Sequence, residues 1–117
     1  MSQNQYSVAA HFVGKEPATR KIYDRLLKAS SRFGAVTEDP KKTSIHLVNR
    51  TAFAGVATQK SSVILTIKSD HKLASPRIHK SEQTSANRFH HEVKLTSPDD
   101  VDGEIAGWLK AAYELSA

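Results

Sequence analysis

The chain contains no cysteine, which excludes a disulfide framework, a thiolate metal site and a cysteine nucleophile. No apolar run approaches the ~20 residues that cross a bilayer. The opening Met1–Tyr6 segment is polar and lacks the charged and apolar stretches of a signal peptide. Aromatic residues make up 7% of the chain, and there are five glycines and four prolines. No Gly-rich phosphate loop, Walker pattern, dinucleotide fingerprint or Gly-x-Ser-x-Gly elbow occurs. These absences leave an expectation of a cytoplasmic domain with no membrane partner, no cofactor and no catalytic residue to assign. The length of 117 residues suits one domain with a sizeable core and is too short for two.

Charge is what the chain has, and it is unevenly placed. The net charge is +5. Residues 1–96 carry 16 Lys/Arg and 7 Asp/Glu, whereas residues 97–117 carry Lys110 against Asp99, Asp100, Asp102, Glu104 and Glu114. A basic body with an acidic tail either attracts polyanions or lets its two ends pair.

The first third of the chain reads as helical. Ser7 can cap a short turn over residues 7–13, and Gly14 ends it. Pro17 suits the first turn of a longer helix, where its missing N–H is not needed. Ile22, Tyr23, Leu26, Leu27 and Phe33 recur at helical spacing, which predicts a helix over 17–33 stopped by Gly34. Lys21, Arg25, Lys28 and Arg32 line one edge of it.

Residues 43–68 read as a three-stranded meander. Thr43, Ile45 and Leu47 alternate with Ser44, His46 and Val48. A two-residue turn at Asn49-Arg50 would set 48 opposite 51 and 46 opposite 53. A second at Lys60-Ser61 would set 57 opposite 64 and 56 opposite 65. Both turns put Ile45, Leu47, Ala54, Val56, Val63, Leu65 and Ile67 on one face. A one-residue slip would invert every side chain, so this agreement fixes the core face.

Residues 69–87 are polar throughout and predict a long loop. A fourth strand over 88–95 follows, with Phe89, His91, Val93 and Leu95 facing the core. Ser97-Pro98-Asp99-Asp100 has the pattern of a helix start, and Val101, Ile105, Trp108, Leu109, Ala112 and Leu115 extend one apolar stripe across 97–116. The expected fold class is α+β, α-β-β-β-loop-β-α. It comprises a four-stranded antiparallel sheet with the N-terminal and C-terminal helices packed on one face.

The opposite sheet face would carry Ser44, His46, Val48, Phe53, Ala57, Ile64, Thr66, His90, Glu92 and Lys94. Phe53 and Ile64 make it more apolar than a plainly solvated face. A ligand platform, a homodimer interface and cover by the 69–87 loop are three readings of that composition. Lys42, Arg77, His79 and Arg88 could supply a clamp for a phosphate or carboxylate. No metal site is expected. His90 and His91 are adjacent on a strand and point to opposite faces, and His46 could meet His90 only from a neighbouring strand. The acidic pairs Glu38-Asp39 and Asp99-Asp100 fall in a turn and a helix start, where structural roles explain them.

The residues therefore describe a binding module for an anionic ligand or partner, with nothing that demands an enzyme. Its candidate ligand-binding residues are Lys42, His46, Phe53, Arg77, His79, Arg88 and His90. One alternative is a nucleic-acid-binding accessory domain using Lys21, Arg25, Lys28 and Arg32. Another is a structural homodimer joined through the outer sheet face.

Several stretches also carry a family resemblance. They are His11-Phe12-Val13-Gly14-Lys15, Arg25-Leu26-Leu27, Glu38-Asp39-Pro40-Lys41-Lys42-Thr43, Phe53-Ala54-Gly55-Val56, Ser75-Pro76-Arg77, and Ser97 to Asp102 with Trp108-Leu109 and Ala112-Tyr113. Together they resemble the bacterial family known as domain of unknown function 5655, from about Ser7 to Leu115. The resemblance implies a small stand-alone or appended bacterial domain with the helix–sheet–helix order above, and no activity. The order is also similar to that of frataxin-like domains, but the basic edge of the first helix is the reverse of an acidic ridge that would attract iron.

Overall fold

A computed structural model of the chain describes residues 6–117. A short 3-10 turn at Ala9–Phe12 leads into helix α1, Pro17–Ser31. The Ser7 hydroxyl accepts from the Ala10 N–H at 3.1 Å, and Gly14 takes a left-handed φ of +74° after the turn. Pro17 occupies the start of α1, and Thr19, Ile22, Tyr23, Leu26 and Ser30 form its buried face. That spacing of three or four residues keeps one stripe toward the core. The Thr19 hydroxyl lies 3.0 Å from the carbonyls of Gln59 and Lys60, and Glu16 N–H donates to Lys60 at 2.7 Å. The start of α1 is thereby tied to a distant hairpin turn. At its other end Gly34 has φ +147°, and a side chain there would strike the Tyr113 hydroxyl.

The sheet has six strands, not the four expected. They are β1 Thr37–Pro40, β2 Ile45–Val48, β3 Ala52–Thr58, β4 Val63–Ser69, β5 Ile78–Ser85 and β6 Arg88–Leu95. Their order is β1-β2-β3-β4-β6-β5, with every neighbour antiparallel. Both additional strands lie at edges. β1 contains Glu38, Asp39 and Pro40, residue types poor in strands. The missing N–H of a proline is tolerated at an edge, and Glu38, expected in a turn, instead pairs with Leu47. Its carboxylate accepts from the Tyr23 hydroxyl, which couples β1 to α1.

β5 corrects the expected 69–87 loop. Its residues pair with β6 across a turn at Ala86-Asn87, and all but Ile78 are exposed. A strand that overhangs the helix layer buries neither face, so no alternation marks it in sequence. The pairing shifts between Ile78 and Lys80 and again between Gln83 and Ser85. Such bulges blunt an open edge against pairing with other chains. What remains of the connection, residues 70–77, lies on the helix side and does not cover the outer face. Leu73 N–H reaches His91 Nε2 there at 3.4 Å.

The β3–β4 register pairs Val56 with Leu65 and Ala57 with Ile64, as the Lys60-Ser61 turn predicts. The β2–β3 register differs. Leu47 pairs with Ala54 and Val48 with Ala52, which leaves Phe53 as an extra residue in a bulge. The turn spans residues 49–51, and the N–H groups of Arg50 and Thr51 donate to the Ser116 carbonyl. Contact with the end of the C-terminal helix therefore decides this turn. The bulge swings Phe53 to the helix side, where its ring meets Tyr113 edge-on at 5.3 Å.

The expected helix over 97–116 is broken in two. Ser97 accepts from Asp99 N–H at 3.3 Å and opens a 3-10 turn, Pro98–Asp100. Val101 then leaves helical geometry, and Asp102 caps helix α2, Gly103–Leu115, by accepting from Ile105 N–H at 3.2 Å. Each cap satisfies an orphan N–H, and two caps in succession start two helices. Helix α2 buries Ile105, Leu109 and Ala112. Both helices pack on the same face of the sheet, over Ile45, Leu47, Val56, Val63, Leu65, Ile67, Val93 and Leu95. Burial of each such aliphatic side chain contributes about 1.5–3 kcal/mol.

Candidate functional site

The face of the sheet away from the helices holds a depression of about 220 Å³. Its centre is Gly55. His46, Gly55, Thr66 and Glu92 form one row across β2, β3, β4 and β6. A β-carbon at position 55 would lie 3.8 Å from the His46 ring and 3.9 Å from Thr66 Cβ. The space above Gly55 is therefore room for a side chain that the sequence omits. A glycine inside a strand often marks such a close approach by another group.

The walls are polar and cationic as well as small. Ser44, His46, Thr66, Lys68 and His90 line the depression with Ala52, Phe53 and Ala57. Lys68 is half-buried, and its Nζ donates to the Ser116 hydroxyl at 3.4 Å. Burial, and then the nearby Arg88 charge, lower the Lys68 ammonium below its ordinary pKa. Among the described residues no carboxylate lies within ion-pair distance of it. Arg88 alternates with His90 along β6 and shares its face. One of its guanidinium nitrogens donates to the Asn87 carbonyl at 2.8 Å. Lys42 is exposed in the β1–β2 connection, two positions before Ser44.

The other candidate residues are placed differently. Phe53 borders the depression, but the bulge turns its ring into the core, where it is 1% exposed, so it offers a ligand no open platform. Arg77 sits on the helix side and is held by the carboxylates of Asp102 and Glu104 and by the Asp100 carbonyl. It is not available to clamp a ligand beside His90. His79 and Lys80 both approach Glu92, at 3.4 and 3.9 Å, because the β5 bulge brings consecutive residues to one side. His46 and His90 share a face, but three strand spacings separate β2 from β6, or about 14 Å. One ion cannot bridge them. Among the described residues no group of three metal-binding side chains converges.

On α1, Lys21, Arg25, Lys28 and Arg32 are all exposed. They face the acidic lead into α2, and Arg25 lies 4.0 Å from Asp99. The basic edge and the acidic tail segment are thus neighbours, so part of the positive field is neutralised within the molecule.

Sequence reasoning missed Gly55 and Lys68. Lys68 follows Thr66 by two positions on β4 and so shares its face, and a lone glycine within a strand was the other available signal. His91, expected on the core face, is there, and its partners could not be read from the sequence. This imidazole is fully buried between the Ser81 hydroxyl, 2.8 Å from Nδ1, and the Ser69 hydroxyl, 2.9 Å from Nε2. Ser69 gives its own proton to the His71 carbonyl, and the Leu73 N–H also reaches Nε2, at 3.4 Å. Desolvation holds the His91 pKa below its ordinary value.

No curated protein and no solved structure matches the chain. A family model described as Domain of unknown function (DUF5655) matches residues 8–116. That match takes in α1, all six strands and α2, and the chain belongs to this family of unknown function.

Proposed function

We propose that the protein is a binding module that receives an anionic ligand on the open face of its sheet. The observation that carries this reading is the depression over Gly55, bordered by a half-buried ammonium that lacks a carboxylate partner. Lys68 supplies the charge, with Arg88 beside it adding to the local positive field. The hydroxyls of Ser44 and Thr66 and the rings of His46 and His90 supply hydrogen bonds that orient the ligand. The chemical class is a small phosphate or carboxylate, for which point charges and hydroxyl donors are the usual recognition groups.

Calorimetric titration of phosphate, sulfate and small dicarboxylates at low salt tests this. The expected result is saturable binding that Gly55→Val removes by filling the depression. A β-carbon at this position makes only ordinary contacts with His46 and Thr66, and an unchanged melting temperature of the variant would show that the sheet is intact. Unchanged binding in Gly55→Val, or none in the wild type, overturns the reading.

The basic edge of α1 supports nucleic-acid binding less well, because Asp99 and its neighbours stand against it. A homodimer through the outer face is less well supported because the Phe53 ring, at 1% exposure, offers a partner little surface. Among the described residues, the large hydrophobic side chain that stands out in solvent is Val13, at 75% exposure.

A further inference from the structure

A second cavity, of about 280 Å³, opens on the helix side between α2 and the segment that follows β4. Its apolar walls are Leu73, Trp108, Ala111 and Leu115. Leu73 is held in place from behind, since its N–H reaches the buried His91 ring. The volume is just under the ~300 Å³ at which pockets for drug-sized ligands begin, so the occupant must be small.

The charged groups at the mouth are not equivalent. Asp70 and His71 pair with each other at 2.7 Å, and both are exposed. Glu114 is exposed on α2. Lys68 alone is half-buried, and it lines this cavity as well as the outer depression. Its Nζ donates to a neutral hydroxyl, that of Ser116, at 3.4 Å. An ammonium partly withdrawn from water beside an apolar cavity lacks the counter-charge that would offset its desolvation. An anion carried on a flat apolar body would supply that charge and cover the Trp108 ring together.

We infer that this cavity binds a small aromatic or aliphatic monocarboxylate, with its body against Trp108 and Leu73 and its carboxylate on Lys68. The site is distinct from the depression over Gly55, although one lysine borders both. It stands without that reading. A ligand in either place engages Lys68, so occupancy of one weakens an anion's hold in the other.

Trp108 is the only tryptophan of the chain, so its emission reports on this cavity. Benzoate is the probe, and benzamide is the uncharged analogue of the same shape. The expected result is a saturable change in emission with benzoate, and binding at least tenfold weaker with benzamide. Gly55→Val should leave the benzoate response intact, which separates this site from the sheet face. Lys68→Met should weaken benzoate tenfold or more and bring it level with benzamide. Ala111→Phe should abolish the response by filling the cavity. Ala111 is exposed on a helix, so the fold should tolerate the change. If that variant does not fold, the Lys68→Met comparison decides alone. The inference is overturned by the absence of a saturable change, by equal binding of benzamide and benzoate, or by a benzoate response that survives either cavity substitution. Anion binding lost in Gly55→Val alongside a flat Trp108 titration would reject this site and leave the sheet-face reading standing.

Discussion

One guanidinium nitrogen of Arg77 lies 2.9 and 3.0 Å from the two carboxylate oxygens of Asp102. The same nitrogen is 3.2 Å from Glu104, and the other terminal nitrogen donates to the Asp100 carbonyl at 2.7 Å. The residue just before β5 is thereby fastened to the break between the 3-10 turn and α2. Hydrogen bonding from Arg77 holds the Asp102 carboxyl below the usual carboxylate range, although Asp102 must also cap α2. The contact joins an edge strand to a helix start that are 25 residues apart.

Arg77→Ala should therefore act on stability and leave ligand binding at the outer face alone. The side chain of Arg77 is 26% exposed and that of Asp102 50%, so solvent screening limits the loss to about 1 kcal/mol. Asp102→Ala should cost about 1 kcal/mol from the lost cap in addition. Chemical denaturation of both variants and the double variant would measure the coupling. Additive losses would show that the contact is not energetically coupled.

Phe53→Ala distinguishes a core residue from a platform residue. Removal of a buried phenylalanine costs about 3–5 kcal/mol, and here it also leaves the Tyr113 ring without its edge-on neighbour. The expected result is a large fall in the denaturation midpoint with no direct loss of anion contacts. A variant as stable as the wild type would place the ring in solvent and restore the platform role.

Stability should fall as the solution becomes acidic, through His91. Desolvation lowers its folded-state pKa, and the nearby His71, His90 and Lys72 charges act in the same direction. The unfolded chain takes up this proton near pH 6.5, whereas the folded chain keeps the ring neutral to a lower pH. The contribution of His91 is thus complete above about pH 6.5 and is lost as pH falls through the folded pKa. Melting curves between about pH 7.5 and 5 should show this slope. His91→Gln should be less stable throughout and less steep. An unchanged slope in His91→Gln would assign the effect to other groups.

The elements that bury one face were legible because burial leaves a period in the sequence. The stripe Ile22, Tyr23, Leu26 gave α1, and Val63, Leu65 and Ile67 gave β4 together with its register against β3. Ser97-Pro98-Asp99-Asp100 marked a helical turn, although the last helix itself starts at Gly103. Of the site, Ser44, His46, Thr66 and His90 were legible as residues of the outer face, since side chains alternate along a strand. Lys68 and the vacancy over Gly55 were overlooked although the same rule reaches them.

Sequence alone determined the class of this protein, the core face of its central strands and the family to which it belongs. Only the tertiary structure decided that the sheet continues to a strand at either edge, on which side Phe53 lies and what holds Arg77. β5 is exposed at every residue but Ile78 and so carries no alternation to read, while β1 is four residues long and made of types poor in strands. A bulge moves a side chain across the sheet without altering composition, and here the end of α2 sets it by holding the turn before β3. The partner of a charged residue depends on which distant segment folds beside it. Local spacing does not encode that information.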